Sequence, residues 1–314
     1  MKRSSNKLII SIVTFGFIII ALAATTYAWF TIDHLARVNS FSIDVTAGDG
    51  IEISVGDAND WYSILSASYM NNYLYNKYNQ HVVDEQGNIT VVEKDGILGS
   101  DFILKELTST DGVSLTNMYG GEISFGNGSG GFIEFDLHFR SRTPGTIYWR
   151  QVTLDSNGIE WVSDKNFIGP KGEEVQVGET LTSKAADAAR ISVAGSSVVV
   201  YENPESATNV VLNNTPIMNG AIDYYNVAHG YNRNDPSTEQ VIKEEDLPTD
   251  IAESITSLAS PVVIAELGEL DDSGYHYATI TVRIWLEGWD PNDFIAIAND
   301  ILSVSLLFDK ENIE

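Results

Sequence analysis

The chain has 314 residues, 18 Lys and Arg against 44 Asp and Glu, a net charge of −26 and no cysteine. Phosphate binding needs clustered positive charge, so this balance excludes a nucleic-acid reader and adsorption of the folded body to an anionic lipid surface. A chain without cysteine has no disulfide scaffold, Cys-ligated zinc or thiol nucleophile, while 43% hydrophobic residues supply a core that a disordered acidic tail lacks.

Lys2, Arg3 and Lys7 precede an uncharged run, residues 8–32, which closes at Asp33. A basic start, an apolar stretch and the small residues Ala21, Ala23, Ala24 and Ala28 read as an export signal. Thr26 and Ala28 fit the −3 and −1 positions, so cleavage is expected between Ala28 and Trp29, with residues 1–28 as the signal peptide. About 20 apolar residues also span a bilayer, so the competing reading is an uncleaved anchor over 8–32. Either way the positive-inside rule places everything after Asp33 outside the cytoplasm. The expected location is extracellular or at the cell surface, with membrane contact only through the N-terminal segment before cleavage.

Strand patterns dominate the rest. They are expected at Phe41–Val45, Ile51–Val55, Ile89–Glu93, Phe102–Leu107, Glu122–Phe125, Phe132–Phe139, Ile147–Leu154, Ile159–Val162, Ile191–Val193, Val198–Tyr201, Pro261–Glu266, Tyr275–Leu286 and Leu302–Phe308. Phe132–Phe139 alternates as a half-buried strand does, and Tyr277–Leu286 is β-branched and long, as a central strand is. Asp49-Gly50, Asn157-Gly158 and Lys171-Gly172 punctuate the runs as hairpin turns. Helical spacing predicts inserted helices at Trp61–Tyr78, after an Asp250 cap with Ile251, Ile255 and Leu258 on one face, and from Asp290-Pro291 through Ile301. The expected fold is therefore mainly β, a β-sandwich or jelly roll with a few short helices, formed by residues 29–314 as one domain with a polar excursion around 203–260.

Chemistry-bearing patterns are sparse. The five histidines lie far apart and form no His-Glu-x-x-His pair, and His138 reads as a surface or pocket-lining residue. The glycine-rich stretch 126–131 follows a strand pattern and precedes another, so it reads as a hairpin loop instead of a phosphate cradle. Three acidic turns, Asp57 with Asp60, Asp271 with Asp272 and Asp290 with Asp293, offer oxygen ligands suited to a hard cation such as calcium, the competing reading being solvated charge. No other cofactor is expected. Trp61, Trp149, Trp161, Trp285 and Trp289 read either as core residues or as sugar-stacking platforms.

The junction Thr25-Thr26-Tyr27-Ala28-Trp29-Phe30-Thr31-Ile32-Asp33 and the following Phe41–Gly48 resemble the processing site and first strand of the camelysin/TasA family. The stretch Val282-Arg283-Ile284-Trp285-Leu286-Glu287-Gly288-Trp289-Asp290 is similar to a C-terminal signature of related secreted proteins. The resemblance implies a β-rich surface or biofilm-matrix protein of a Gram-positive bacterium, released by a dedicated signal peptidase and able to form fibres. The metallopeptidase label given to camelysin relatives finds no zinc-ligand spacing here.

The expectation is a non-enzymatic structural subunit of the cell surface or extracellular matrix that self-associates into filaments. The donor segment would run from Trp29, Phe30 and Ile32 to Phe41 and Ile43, entering the open sheet edge of a neighbour. The alternative is a surface-displayed module that binds a glycan or a protein.

Overall fold

A computed structural model describes residues 35–38, 41–48, 50–78, 80–83, 89–92, 102–121, 131–204 and 216–311. The expected export segment and Ala28–Trp29 cleavage junction, the expected donor residues Trp29, Phe30 and Ile32, the expected strand Glu122–Phe125 and most of the glycine-rich stretch lie outside these residues. The fold is mainly β, with two principal sheets facing each other.

Period-two alternation builds the larger, nine-stranded sheet around His276–Glu287. This strand pairs antiparallel with Ile133–Ser141 on one side and with Ala189–Ala194 on the other, while its last two residues run parallel to Glu106 and Leu107 of Phe102–Ser109. Val198–Glu202 and Ser254–Ile255 extend it beyond Ala189–Ala194. Glu52–Val55 flanks Ile133–Ser141, and Leu115–Asn117 and Leu35–Val38 flank Phe102–Ser109. The second sheet runs in the order Val262–Glu266, Thr146–Ser156, Leu302–Glu311, Phe41–Ala47, Ile64–Leu65. Phe41–Ala47 lies parallel to Leu302–Glu311, so the sandwich carries mixed sheets where a jelly roll is antiparallel throughout.

The core sits between the sheets. Ile133, Phe135, Leu137 and Phe139 point inward while Glu134, Asp136, His138 and Arg140 point outward, and Leu302, Val304, Leu306 and Phe308 face them from the other sheet. Phe139 meets Phe308 edge-on at 5.3 Å and Trp149 meets Tyr201 at 6.2 Å, geometries that add to the apolar burial of each ring. Trp149, Trp285 and Trp289 are fully enclosed, which settles them as core residues.

Exposed backbone at the sheet margins is covered. Helix α1 (Ala67–Tyr78) buries Met70, Leu74 and Tyr78 at i, i+4 and i+8. The Tyr78 hydroxyl accepts from Glu134 N (2.8 Å) and donates to Glu134 O (2.9 Å), satisfying a strand residue beyond the reach of Glu52–Val55. At the opposite margin the 194–198 turn seals Val262–Glu266, with Ser196 N donating to Ile264 O at 2.8 Å. Only glycine fits beside it, because a Cβ on Gly195 would lie 2.2 Å from Ile264 O.

Two smaller hairpins, Ile159–Val162 with Thr180–Ser183 and Phe167–Ile168 with Glu174–Val175, lead through helix α2 (Ala185–Ala188) to the strand Ala189–Ala194. Helix α3 (Ala221–Ala228) belongs to an inserted segment, 216–251. Phe167, Val175 and Phe294 pack with Trp161 and Tyr224, and Ile222, Ile242, Ile251 and Trp289 form a further core. Asn226 anchors the loop after α3, accepting from Val241 N and Ile242 N and donating to Ile242 O, each at 2.8 Å.

The helix expectations need correction. Only Ala67–Tyr78 of the Trp61–Tyr78 pattern is helical, because Tyr62 exchanges both backbone hydrogen bonds with Ile53. No helix follows Asp250: Ala252 N donates to Ser109 O at 2.6 Å and Ser254 joins Val200 in a ladder, so this segment is extended. Asp290-Pro291 starts a turn followed by a 3-10 segment, Ile295–Asn299, because the Asp290 side chain is held by Asn292 and by Arg190.

Asp300 is the hub of the α2 region. Fully buried, it accepts from Gly158 N (2.9 Å), Ala185 N (2.9 Å) and Ile301 N (2.7 Å). Asp300→Ala orphans these donors and is expected to cost about 3 kcal/mol in urea denaturation, whereas a loss under about 1 kcal/mol would remove it from this role.

Candidate functional site

Two polar constellations stand out, one enclosed and one on the surface. The enclosed one forms where the ends of four strands meet the turn 288–294. Arg190 starts the strand Ala189–Ala194 and lies in register with Glu202 on one side and Trp285 on the other. Its Nη2 is 2.6 Å from Glu202 Oε2 and 2.6 Å from Asp290 Oδ2, and Nη1 donates to Ala189 O at 3.1 Å. All three charged side chains are almost wholly buried. Glu287 lies beside them, accepting from Trp285 Nε1 (3.2 Å) and Trp289 N (3.4 Å). Asp293 is enclosed next to Glu106, Asp290 and Glu287, and its Oδ2 has no hydrogen-bond partner among the described residues. Glu106, half-buried, forms the rim.

Four carboxyl groups, Glu202, Asp290, Glu287 and Asp293, thus lie around the Arg190 guanidinium, and Glu106 adjoins Asp293. Burial works against the charge of Arg190, but Asp290, Glu202 and Glu287 outweigh it and hold its pKa above the ordinary value. Burial pushes the carboxyls the other way: Glu287 rises to about 7 and Glu106 to about 8. Asp293 rises well above its ordinary value, first through burial and then through Glu106, Asp290 and Glu287. Glu202 is also raised by burial, against the pull of Arg190. Burial is thus the main reason these carboxyls favour the protonated form, and repulsion from neighbouring acids adds to it at Asp293 and Glu202.

The surface constellation lies on the outer face of the same sheet. Glu52, Arg140 and Tyr277 are in register across three strands, and Arg140 Nε donates to Glu52 Oε2 at 2.7 Å. The Arg140 guanidinium lies 4.5 Å from the ring centroids of both Trp61 and Tyr275. Arg142 lies 4.8 Å over Tyr275 and donates to its hydroxyl at 3.0 Å. Trp61 and Tyr277 are 5.7 Å apart. The result is a partly exposed patch of alternating cations and rings.

Two of the acidic turns predicted from sequence frame this patch. Asp57 and Asp60 are exposed in the bend before Trp61. Asp271 is exposed and accepts from Ser273 N (2.9 Å), Ser273 Oγ (2.6 Å) and Tyr275 N (3.1 Å), while Ser273 Oγ sits 3.0 Å from the Tyr277 hydroxyl. Asp272, beside it, is exposed. The third pair, Asp290 and Asp293, belongs to the enclosed cluster. Among the described residues no group of three His, Asp or Glu is placed to hold one metal ion. His138 is half-buried, with Nδ1 2.9 Å from Thr279 Oγ1 and Nε2 2.6 Å from Gly56 O. Phe41 and Ile43 lie in the chain's own sheet, opposite Leu302 and Val304.

Sequence reasoning missed Glu106, Arg190, Glu202 and Glu287. The signal was available: Arg190 and Glu202 adjoin apolar strands, and Glu287 ends another, where each reads as a strand boundary instead of a buried charge. No protein-family model, curated protein or solved structure matches this chain.

Arg190→Met strands Glu202 and Asp290 without a counter-charge. It is expected to cost about 3–5 kcal/mol at pH 7 in urea denaturation, with a smaller deficit at pH 5, where Glu202, its pKa raised by burial, takes up a proton more readily. A loss unchanged between the two pH values would show that Arg190 acts through packing alone.

Proposed function

We propose that this chain is an exported, non-enzymatic subunit of a cell surface or extracellular matrix that joins its neighbours through its N-terminal segment. The observation that carries this reading is the seat of the strand Phe41–Ala47. Phe41–Asp44 pair with Leu302–Ser305 on one side, and among the described residues only the C-terminal part of the strand finds second partners, Val45 and Thr46 opposite Leu65 and Ile64 and Ala47 N donating to Ser63 O at 2.8 Å. A strand near the chain's N-terminal end, held mainly by one ladder, is an element that neighbouring subunits can exchange. Donation that runs head-to-tail from subunit to subunit does not close on itself and so yields filaments, whereas reciprocal exchange would close as a dimer. The resemblance of Thr25–Gly48 to matrix-protein junctions supports the same reading, as does the acidity of the chain, which favours extracellular solubility and gives calcium or salt a screening role in assembly.

A second reading, a surface module for glycans, rests on the Trp61, Tyr275 and Tyr277 patch with Arg140 and Arg142. Aromatic rings there offer stacking surface, and the guanidinium and carboxylate groups around them offer hydrogen bonds to hydroxyls.

Deleting Trp29–Ser40 from the exported protein tests the first reading by electron microscopy of purified subunits in calcium-containing buffer. The expected product is a folded subunit that forms no filaments. Filaments of unchanged morphology would overturn donation by this segment, and glycan binding lost on Trp61→Ala without any loss of assembly would favour the module.

A further inference from the structure

The turn 288–294 is the joint between the sandwich and the inserted segment. On one side Gly288 N donates to Leu107 O at 2.8 Å and Asp290 is held by Arg190. On the other, Trp289 packs on Ile222, Ile242 and Ile251, and Phe294 packs against Tyr224. Pro291 O accepts from Ala221 N at 2.9 Å, the first turn of α3, and a Cβ on Gly220 would lie 2.0 Å from that oxygen. The two surfaces are therefore pressed together at this one turn.

The same turn carries two of the five clustered carboxyls, Asp290 and Asp293. The groups facing them come from every adjoining element: Glu106 from Phe102–Ser109, Arg190 from Ala189–Ala194, Glu202 from Val198–Glu202 and Glu287 from His276–Glu287. Tyr225 of α3 also approaches Tyr119 and Glu106. Arg190 is the cation placed against Glu202 and Asp290, and Asp293 Oδ2 meets no donor among the described residues. With every acid ionised, the turn would be repelled by the strands beneath it.

We infer that this cluster is a proton-operated latch: carboxyls that carry protons hold the turn 288–294 and the start of α3 against the sandwich, and losing those protons releases them. The direction follows from linkage. Glu287 and Glu106 titrate at about 7 and about 8 in the folded chain against 4.5 ordinarily, so the folded state binds the extra protons. Their contribution to stability is complete below the ordinary carboxylate value and is lost as pH rises through about 7 to 8. The latch is closed in mildly acidic surroundings and opens in alkaline ones.

Hydrogen exchange with mass spectrometry on the full mature chain at pH 6.0 and 8.5, corrected for intrinsic exchange rates, tests this. Protection of peptides covering 285–294 and 220–228 is expected to fall roughly tenfold or more at the higher pH, while peptides covering 133–141 and 302–311 keep theirs. The isosteric variant Glu106→Gln/Asp293→Asn should show a clearly smaller fall than the wild type, the remainder coming from Glu287, which still titrates between the two values. Glu269→Gln/Asp272→Asn, which removes the same charge from the exposed surface, should retain the wild-type pH response. Wild-type protection that is flat with pH, or that falls equally in all strands, overturns the latch. Flattening by the surface variant would assign the effect to net charge. Restored protection at pH 8.5 on adding 1 mM calcium chloride would show that the cluster takes a cation instead of protons, and would overturn the proposal.

Discussion

The Arg190 guanidinium, held among four carboxyls with a fifth adjoining and with little water to share the charge, is the constraint on which the arrangement depends. Ion pairs this deeply buried gain stability only when geometry and further hydrogen bonds offset the loss of solvent. Arg190 meets that demand with two carboxylate contacts and one carbonyl. The surrounding acids do not all meet it, and their raised pKa values are the physical response: protons take the place of missing cations. The stability of this joint is consequently tied to pH in a chain whose overall charge is already strongly negative.

Several features of the fold place these groups together. Antiparallel register sets Arg190 opposite Glu202, and the parallel approach of Phe102–Ser109 to the end of His276–Glu287 brings Glu106 beside the turn. The enclosed Trp285 and Trp289 wall the cluster and supply nitrogen donors to Glu287. The stretch Val282–Asp290 thus contributes two tryptophans and two acids to one structural joint. Its sequence character is that of a packed ionic junction.

Much of the architecture was readable from alternation. Ile133–Ser141, Thr146–Ser156 and Leu302–Glu311 follow the period-two pattern that the sequence displays, because each buries one face only. Helices were harder. The start of the Trp61–Tyr78 pattern and the segment after Asp250 both carry helical spacing, yet ladder partners from distant strands claimed their backbones. Helix α3 begins after Gly220 with no side-chain cap, so it lacks the usual starting signal. The acidic turns were legible as residues but not as environments: Asp57 and Asp271 look alike in sequence to Asp290, and only long-range register separates exposed acids from enclosed ones.

Edge strands connect this joint to the proposed role. Short margins, the Tyr78 hydroxyl on Glu134 and the Gly195 turn on Ile264 blunt the sheets against unplanned pairing. A subunit that joins others by exchanging one chosen strand needs its remaining edges closed. The central claim, that the folded chain stores protons in the cluster around Arg190, is tested most directly by counting protons released on unfolding. Denaturing the protein in weakly buffered urea at pH 6.5 is predicted to release at least roughly two protons per molecule, as Glu106 and Glu287 return to ordinary carboxylate values and Asp293 adds to the release. No release, or net uptake, would contradict the account.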